Sequence, residues 1–144
     1  MAQQYWKLFI HAVWCTKHRS SILRGDLETV AHQAIRDTAR DIGIIPICVN
    51  SAWNHTHVLL SWNPSIAIEE GLQMLKDRAV LQWRNHPGSK AENAHKLEWQ
   101  PGWAAFSVSP GKVQNAKSYV VHQKLLHRNG GVIKHYEGMK GHRG

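Results

Sequence analysis

Asn54-His55-Thr56-His57-Val58-Leu59-Leu60 decides the fold, because read as a β-strand it sorts its residues onto two faces. Successive strand side chains point to opposite faces, so His55 and His57 emerge side by side while Thr56, Val58 and Leu60 emerge behind them. Two imidazoles therefore share one surface. Further on, Tyr119-Val120-Val121-His122-Gln123 reads as helix, where positions four apart stack on one side and set the Tyr119 phenol beside the Gln123 amide. Together the four groups would supply a metal site with a phenol next to it. Two neutral imidazoles bind a divalent ion, and the Gln123 carbonyl would add a third ligand, with positions left for water or phosphate oxygens. Each residue also has a plainer role. A His-x-His pair arises readily in a chain with 11 His, a helical glutamine is commonly solvated, and a helical tyrosine is commonly core.

The surrounding chain supplies the scaffold. Trp6 to Thr16 alternates, with Trp6, Leu8, Ile10, Ala12 and Trp14 on one face and Lys7, Phe9, His11, Val13 and Cys15 on the other. A basic loop, Lys17-His18-Arg19, precedes a first helix with its N-cap at Gly25-Asp26. Its apolar face is Leu27, Val30, Ala34, Thr38 and Ile42, and its stop is Gly43. Ile44 to Asn54 and His55 to Trp62 form two strands joined by a hairpin near Ser51 to Asn54. A second helix ends near Asn85, with Ile68, Leu72, Leu75, Ala79 and Trp83 inward. A polar surface loop follows from 88 to about 101, then a fourth strand, Trp103 to Ser109, with Ala104, Phe106 and Val108 on the core face. A third helix, about Lys112 to Arg128, ends at Asn129-Gly130-Gly131, and the basic, glycine-bearing tail beyond it reads as loosely ordered or docked on a partner.

Strand, helix, strand, strand, helix, strand is the βαββαβ order of an α+β, ferredoxin-like (RRM-like) antiparallel sheet with helices on one face. The third helix is additional and carries the tyrosine, and the face of His55 and His57 is left bare unless that helix lies against it. Length predicts one domain over 1–144, with a core at about 5–129 and a tail at 130–144.

A formal charge of +8, from 18 Lys and Arg against 10 Asp and Glu, favours polyanionic partners. Seven of those basic residues follow position 111, so the third helix and tail bring charge to the histidine face. Lys17, Arg19, Lys112, Lys117, Lys124 and Arg128 are the candidates for phosphate contact. The seven Trp read first as core, with some available to stack unpaired bases. Cys15 and Cys48 have no metal-like spacing and read as reduced core residues. With no apolar run near the ~20 residues that span a bilayer and no signal-peptide pattern, the expected location is cytoplasmic and no membrane partner is expected.

Phe9-Ile10-His11-Ala12-Val13-Trp14-Cys15-Thr16-Lys17-His18-Arg19, the His55-Thr56-His57 strand, Trp99-Gln100-Pro101-Gly102-Trp103-Ala104-Ala105-Phe106-Ser107-Val108-Ser109, and the Tyr119-x-x-x-Gln123 helix occur in one order over residues 5–129. In that order they resemble the single-tyrosine HUH transposases of bacterial insertion sequences and their repeat-associated relatives. The resemblance implies cleavage and rejoining of single-stranded DNA at hairpin-marked element ends. It implies Mg2+ or Mn2+ held by His55, His57 and Gln123, and Tyr119 as the nucleophile that forms a 5′-phosphotyrosine and leaves a 3′-hydroxyl. It also implies a homodimer in which the tyrosine helix of one subunit can complete the histidine site of the other.

One departure is visible. The residue between the histidines is usually a bulky hydrophobe in that family, and here it is Thr56, whose buried hydroxyl needs a partner or costs about 1–3 kcal/mol. Two rivals remain at this point. A noncatalytic RNA- or DNA-binding module of the same topology would need aromatic residues on an open sheet face. Histidine or metal-dependent hydrolases with a third ligand two residues on fail at Leu59.

Overall fold

The computed structural model describes residues 2–128. The expected helix stop at Asn129-Gly130-Gly131, the tail and the side chain of Arg128 lie outside the described residues. Four strands, β1 (Phe9–Cys15), β2 (Ile45–Ser51), β3 (His55–Ser61) and β4 (Ala104–Val108), form one antiparallel sheet in the order β2-β3-β1-β4. Helices α1 (Gly25–Asp41) and α2 (Ile68–Asn85) make the two crossovers. The order is the ferredoxin-like one expected.

Parity along β3 sorts the interior. Val58 and Leu60 join Ala12 and Trp14 of β1, Val49 of β2, Ala31, Ile35 and Ala39 of α1, and Leu72, Leu75, Ala79 and Trp83 of α2 in the main core. Leu59 points the other way. It packs with Val108, Ala116 and Val120 in a smaller cluster beneath α3 (Val113–Val121). Phe106 and Val108 therefore share the α3 side rather than facing the main core, because Phe106 pairs with His11 and Val108 with Phe9.

Several elements differ from the sequence reading. β1 starts at Phe9 rather than Trp6, since its partner β3 ends opposite Phe9 at Ser61, and Trp6 and Leu8 are exposed. Asp26 does not cap α1. It lies in the first turn, the Arg24 cap position makes no side-chain bond, and the buried stripe is Ala31, Ala34, Ile35, Thr38 and Ala39. The stop at Gly43 stands, with φ at +77°. Residues 88–101 are not merely surface loop, because Leu97 is buried in the main core and Trp99 packs on it, its indole N–H donating to the Lys76 carbonyl at 2.9 Å. Lys76 is itself buried, and its amine donates to the carbonyls of Gln100 and Gly102 at 3.2 and 3.0 Å. Desolvation lowers its pKa. Cys15 is buried and Cys48 is half-buried, so only the first is a core residue in full.

The third helix is also not continuous. α3 ends at Val121, His122 leaves helical geometry at φ −100° and ψ 26°, and a short α4 (Gln123–Arg128) follows. The Gln123 side-chain amide donates to the Tyr119 carbonyl at 2.7 Å. A continuous helix would assign that carbonyl to the Gln123 backbone N–H, so the side chain competes with the ladder where the helix breaks.

Behind the histidines, Thr56 has its partner. Its hydroxyl lies 3.0 Å from the Ser51 hydroxyl, which lies 2.7 Å from His32 Nε2 on α1. Burial, followed by the charges of Arg36 and Lys124, pushes His32 down to about 4. The folded state thus refuses a proton that the unfolded chain accepts near ~6.5, so this contribution is full above that pH and is lost as pH falls towards 4. The loss at completion is on the order of 3 kcal/mol. Glu28, which burial pushes upward, titrates with the opposite sign, so the informative quantity is a difference between proteins. Urea denaturation from pH 7 to 4.5 should show a shallower acid loss of stability in His32→Gln than in the wild type.

Candidate active site

The β1–β3 register puts Val13 opposite His57, Cys15 opposite His55 and His11 opposite Leu59. Diagonal neighbours on one face lie within reach of ring side chains, and His11 uses that reach. Its Nε2 is 2.8 Å from His57 Nδ1. The His55 and His57 rings lie 4.9 Å apart between centroids, and His55 Nδ1 is 2.7 Å from the Asn54 side-chain oxygen. All three histidines are at most 1% exposed.

Helix α3 lays Tyr119 over this row. Its ring meets His57 edge-on at 5.6 Å and His11 at 6.1 Å, and it is only 5% exposed. Gln123 is fully buried one turn later, which sets aside a solvated helix position. Because its amide nitrogen is committed to the Tyr119 carbonyl, the carbonyl oxygen is the atom it can offer a metal. Among the described residues no group of three or more His, Cys, Asp or Glu could hold a metal ion. A metal site built on His55 and His57 would need a third ligand from another residue type, for which Gln123 is the candidate, or from substrate. The donor set fits a divalent ion of the kind that accepts imidazole and oxygen ligands.

Three attachments hold α3 and α4 to the sheet. Ala116 and Val120 pack on Leu59 and Val108, and the Asn50 amide donates to the Val121 carbonyl at 2.7 Å. Lys124 of α4 makes the third, pairing with Glu28 of α1 and donating to the Ser51 carbonyl at 3.1 Å, with its amine 4.9 Å from the Trp53 ring centroid. Burial raises the Glu28 pKa, and the bond and charge of Lys124 oppose that rise.

Lys124 is thus an anchor of the tyrosine helix rather than a cation presented to solvent. Lys17 pairs with Glu98 at 3.2 Å on the surface, where such a pair leaves it available, and Arg19 is half-buried. Lys112 and Lys117 are exposed. Sequence reasoning placed His11 on the correct face yet gave it no role, since its contact with His57 needs the inter-strand register. Glu28 and Asn50 carried no signal in the sequence.

The model of the transposase IS200-like family matches residues 4–123. The chain belongs to that family. It is a transposase, an enzyme of insertion sequences and DNA recombination, which sets aside a noncatalytic module; the face such a module would leave open is covered by α3. Among relatives, the ISDra2 transposase TnpA of Deinococcus radiodurans is 26% identical over 119 residues, 82% of this chain and 85% of that protein. In fold, the chain is similar to the crystal structure of a transposase-like protein from Deinococcus radiodurans R1, at 22% identity and a TM-score of 0.66 over 86% of this chain and 96% of that one. It is also similar to a REP-associated tyrosine transposase bound to a REP hairpin, at 14% identity and a TM-score of 0.57 over 92% of this chain and 75% of that one. No helix among the described residues is long and apolar enough to cross a membrane.

The Lys124–Glu28 anchor has a measurable consequence. Glu28→Gln should loosen α4 by about 1 kcal/mol, the upper range for a partly exposed pair, giving roughly fivefold faster amide exchange over residues 123–128. Hydrogen-exchange mass spectrometry should find β1 and β3 unchanged.

Proposed function

We propose that this transposase cuts and rejoins single-stranded DNA at hairpin-marked element ends through a covalent bond to Tyr119. One observation carries the reading: the Tyr119 ring lies edge-on 5.6 Å from His57, whose ring is 4.9 Å from that of His55. His55, His57 and Gln123 would hold Mg2+ or Mn2+. The ion would neutralise charge on the scissile phosphate and lower the demand on a phenol, which with an ordinary pKa near ~10 is a weak nucleophile at neutral pH.

The Tyr119 oxygen attacks phosphorus, and the bond to the 3′ oxygen breaks. A 5′-phosphotyrosine and a 3′-hydroxyl result, the phenolic proton being released as the departing oxygen takes one up. The phosphodiester count is conserved, so an incoming 3′-hydroxyl can reverse the step or join a new end without ATP. Burial of Tyr119 and the histidines keeps bulk water from competing for the covalent intermediate.

Lys17, Arg19, Lys112, Lys117 and Arg128 remain phosphate candidates. Trp53, 40% exposed and 5.9 Å from the Arg24 guanidinium, is a candidate platform for an unpaired base. We read the working unit as a homodimer. The packing of Tyr119 against histidines of its own chain supports a site assembled within one subunit rather than in trans.

The direct test incubates the protein with 5′- and 3′-labelled single-stranded element ends and Mn2+. Wild type should yield a protein-linked 5′ DNA adduct and a free 3′-hydroxyl fragment. Tyr119→Phe should abolish the adduct while keeping the fold, and His57→Ala or chelation with EDTA should reduce it by at least about 100-fold, the scale of a lost electrostatic catalyst. An adduct persisting in Tyr119→Phe removes the nucleophile from the proposal.

A further inference from the structure

His11 is buried on the neighbouring strand with its Nε2 2.8 Å from His57 Nδ1. A neutral imidazole carries one N–H and one lone pair, so the bond at one nitrogen decides what the other can do. For His57 to ligate through Nε2, its proton must sit on Nδ1. His11 Nε2 is placed to accept that proton, which puts the proton of His11 on its own Nδ1.

From this geometry we infer that His11 is a positioning residue for His57, fixing its tautomer and ring rotation so that Nε2 is presented to the metal. The inference deepens the metal reading above and rests on it. A second observation runs parallel. His55 also has its Nδ1 held, by the Asn54 side-chain oxygen at 2.7 Å, so both proposed ligands are held at the same nitrogen. Packing restrains His11 in turn, with Tyr119 edge-on at 6.1 Å and Phe106 tilted at 6.4 Å. Without His11, His57 would revert towards the Nε2–H tautomer that histidine favours in water, with its proton on the nitrogen the metal needs.

Two measurements on the full chain separate this idea from the one beneath it. Long-range 1H–15N spectra of 15N-histidine-labelled, metal-free protein should show His57 as the Nδ1–H tautomer; an Nε2–H tautomer in the wild type overturns the inference without any variant. Calorimetry with Mn2+ alone should show binding by the wild type and a loss of about 10- to 100-fold in His11→Phe, which keeps a ring but offers no acceptor. His11→Gln, whose amide oxygen can accept from Nδ1–H, should recover most of that affinity, a rescue that simple space-filling would not give. If the wild type binds no Mn2+, the metal reading fails. If it binds and His11→Phe binds equally well with an unchanged His57 tautomer, only the role of His11 fails.

Discussion

The parity of strand β3 is the constraint on which the rest depends. Val58 and Leu60 are tied to α1 and α2 through the main core, and Thr56 is held by Ser51, so the strand cannot slip by one residue without exchanging its faces. Such a slip would turn two imidazoles into the main core and move Val58 and Leu60 out of it to the side covered by α3. The large apolar face therefore fixes the direction of His55 and His57 from the other side of the sheet. The geometry of the candidate site is thus set by packing on the opposite side of the sheet, and the helix bearing Tyr119 lies over the histidine row.

What could be read from residues alone follows from how local each signal is. Alternation along β3 and β1, the apolar stripe of α2 and the glycine at the end of α1 are properties of short segments, and they survive folding with small shifts. Helix α3 shows where local reading stops. Its apolar pattern runs on past His122, but the backbone leaves helical geometry there, with the Gln123 side-chain amide donating to the Tyr119 carbonyl, and nothing in the spacing marks it. Lys124 fails for another reason. A lysine on a basic helix looks like a phosphate contact until Glu28, 96 positions away, is brought beside it. Phe106 and Val108 were given the wrong neighbours because an alternating strand names two faces without saying which helix covers each. His11 needed only the register, which pairs it diagonally with His57.

The two faces of the sheet also divide the work. The main core gathers buried residues from α1, α2, β1, β2, β3 and the loop at Leu97, with Ala104 and Ala105 of β4 packed against it, whereas the cluster under α3 has Leu59, Val108, Ala116 and Val120 as its buried members. Apolar burial at about 25 cal/mol per Å2 makes the first face the principal source of stability. The histidine face can then carry polar rings and an amide, namely three imidazoles, a phenol and the Gln123 side chain. Such groups are tolerated in a dry interior when they are uncharged and hydrogen-bonded, as His11 is to His57, His55 to the Asn54 side chain and Gln123 to the Tyr119 carbonyl.

That neutrality bears on how a metal would behave there. An ion held by two imidazoles and an amide would keep its full charge, since none of those ligands neutralises it, and an uncompensated divalent charge in a buried site is costly. A phosphodiester supplies the missing negative charge. The ion and the DNA would therefore bind more tightly together than either does alone, each reducing the desolvation cost of the other, and by linkage the coupling must be reciprocal. Acidic ligands would hold the ion more firmly in the absence of DNA, but they would also repel the phosphate it is meant to receive. A neutral donor set under a chain of net charge +8 favours the ternary assembly over the binary one, the arrangement expected of an enzyme whose bond-breaking chemistry should wait for its substrate.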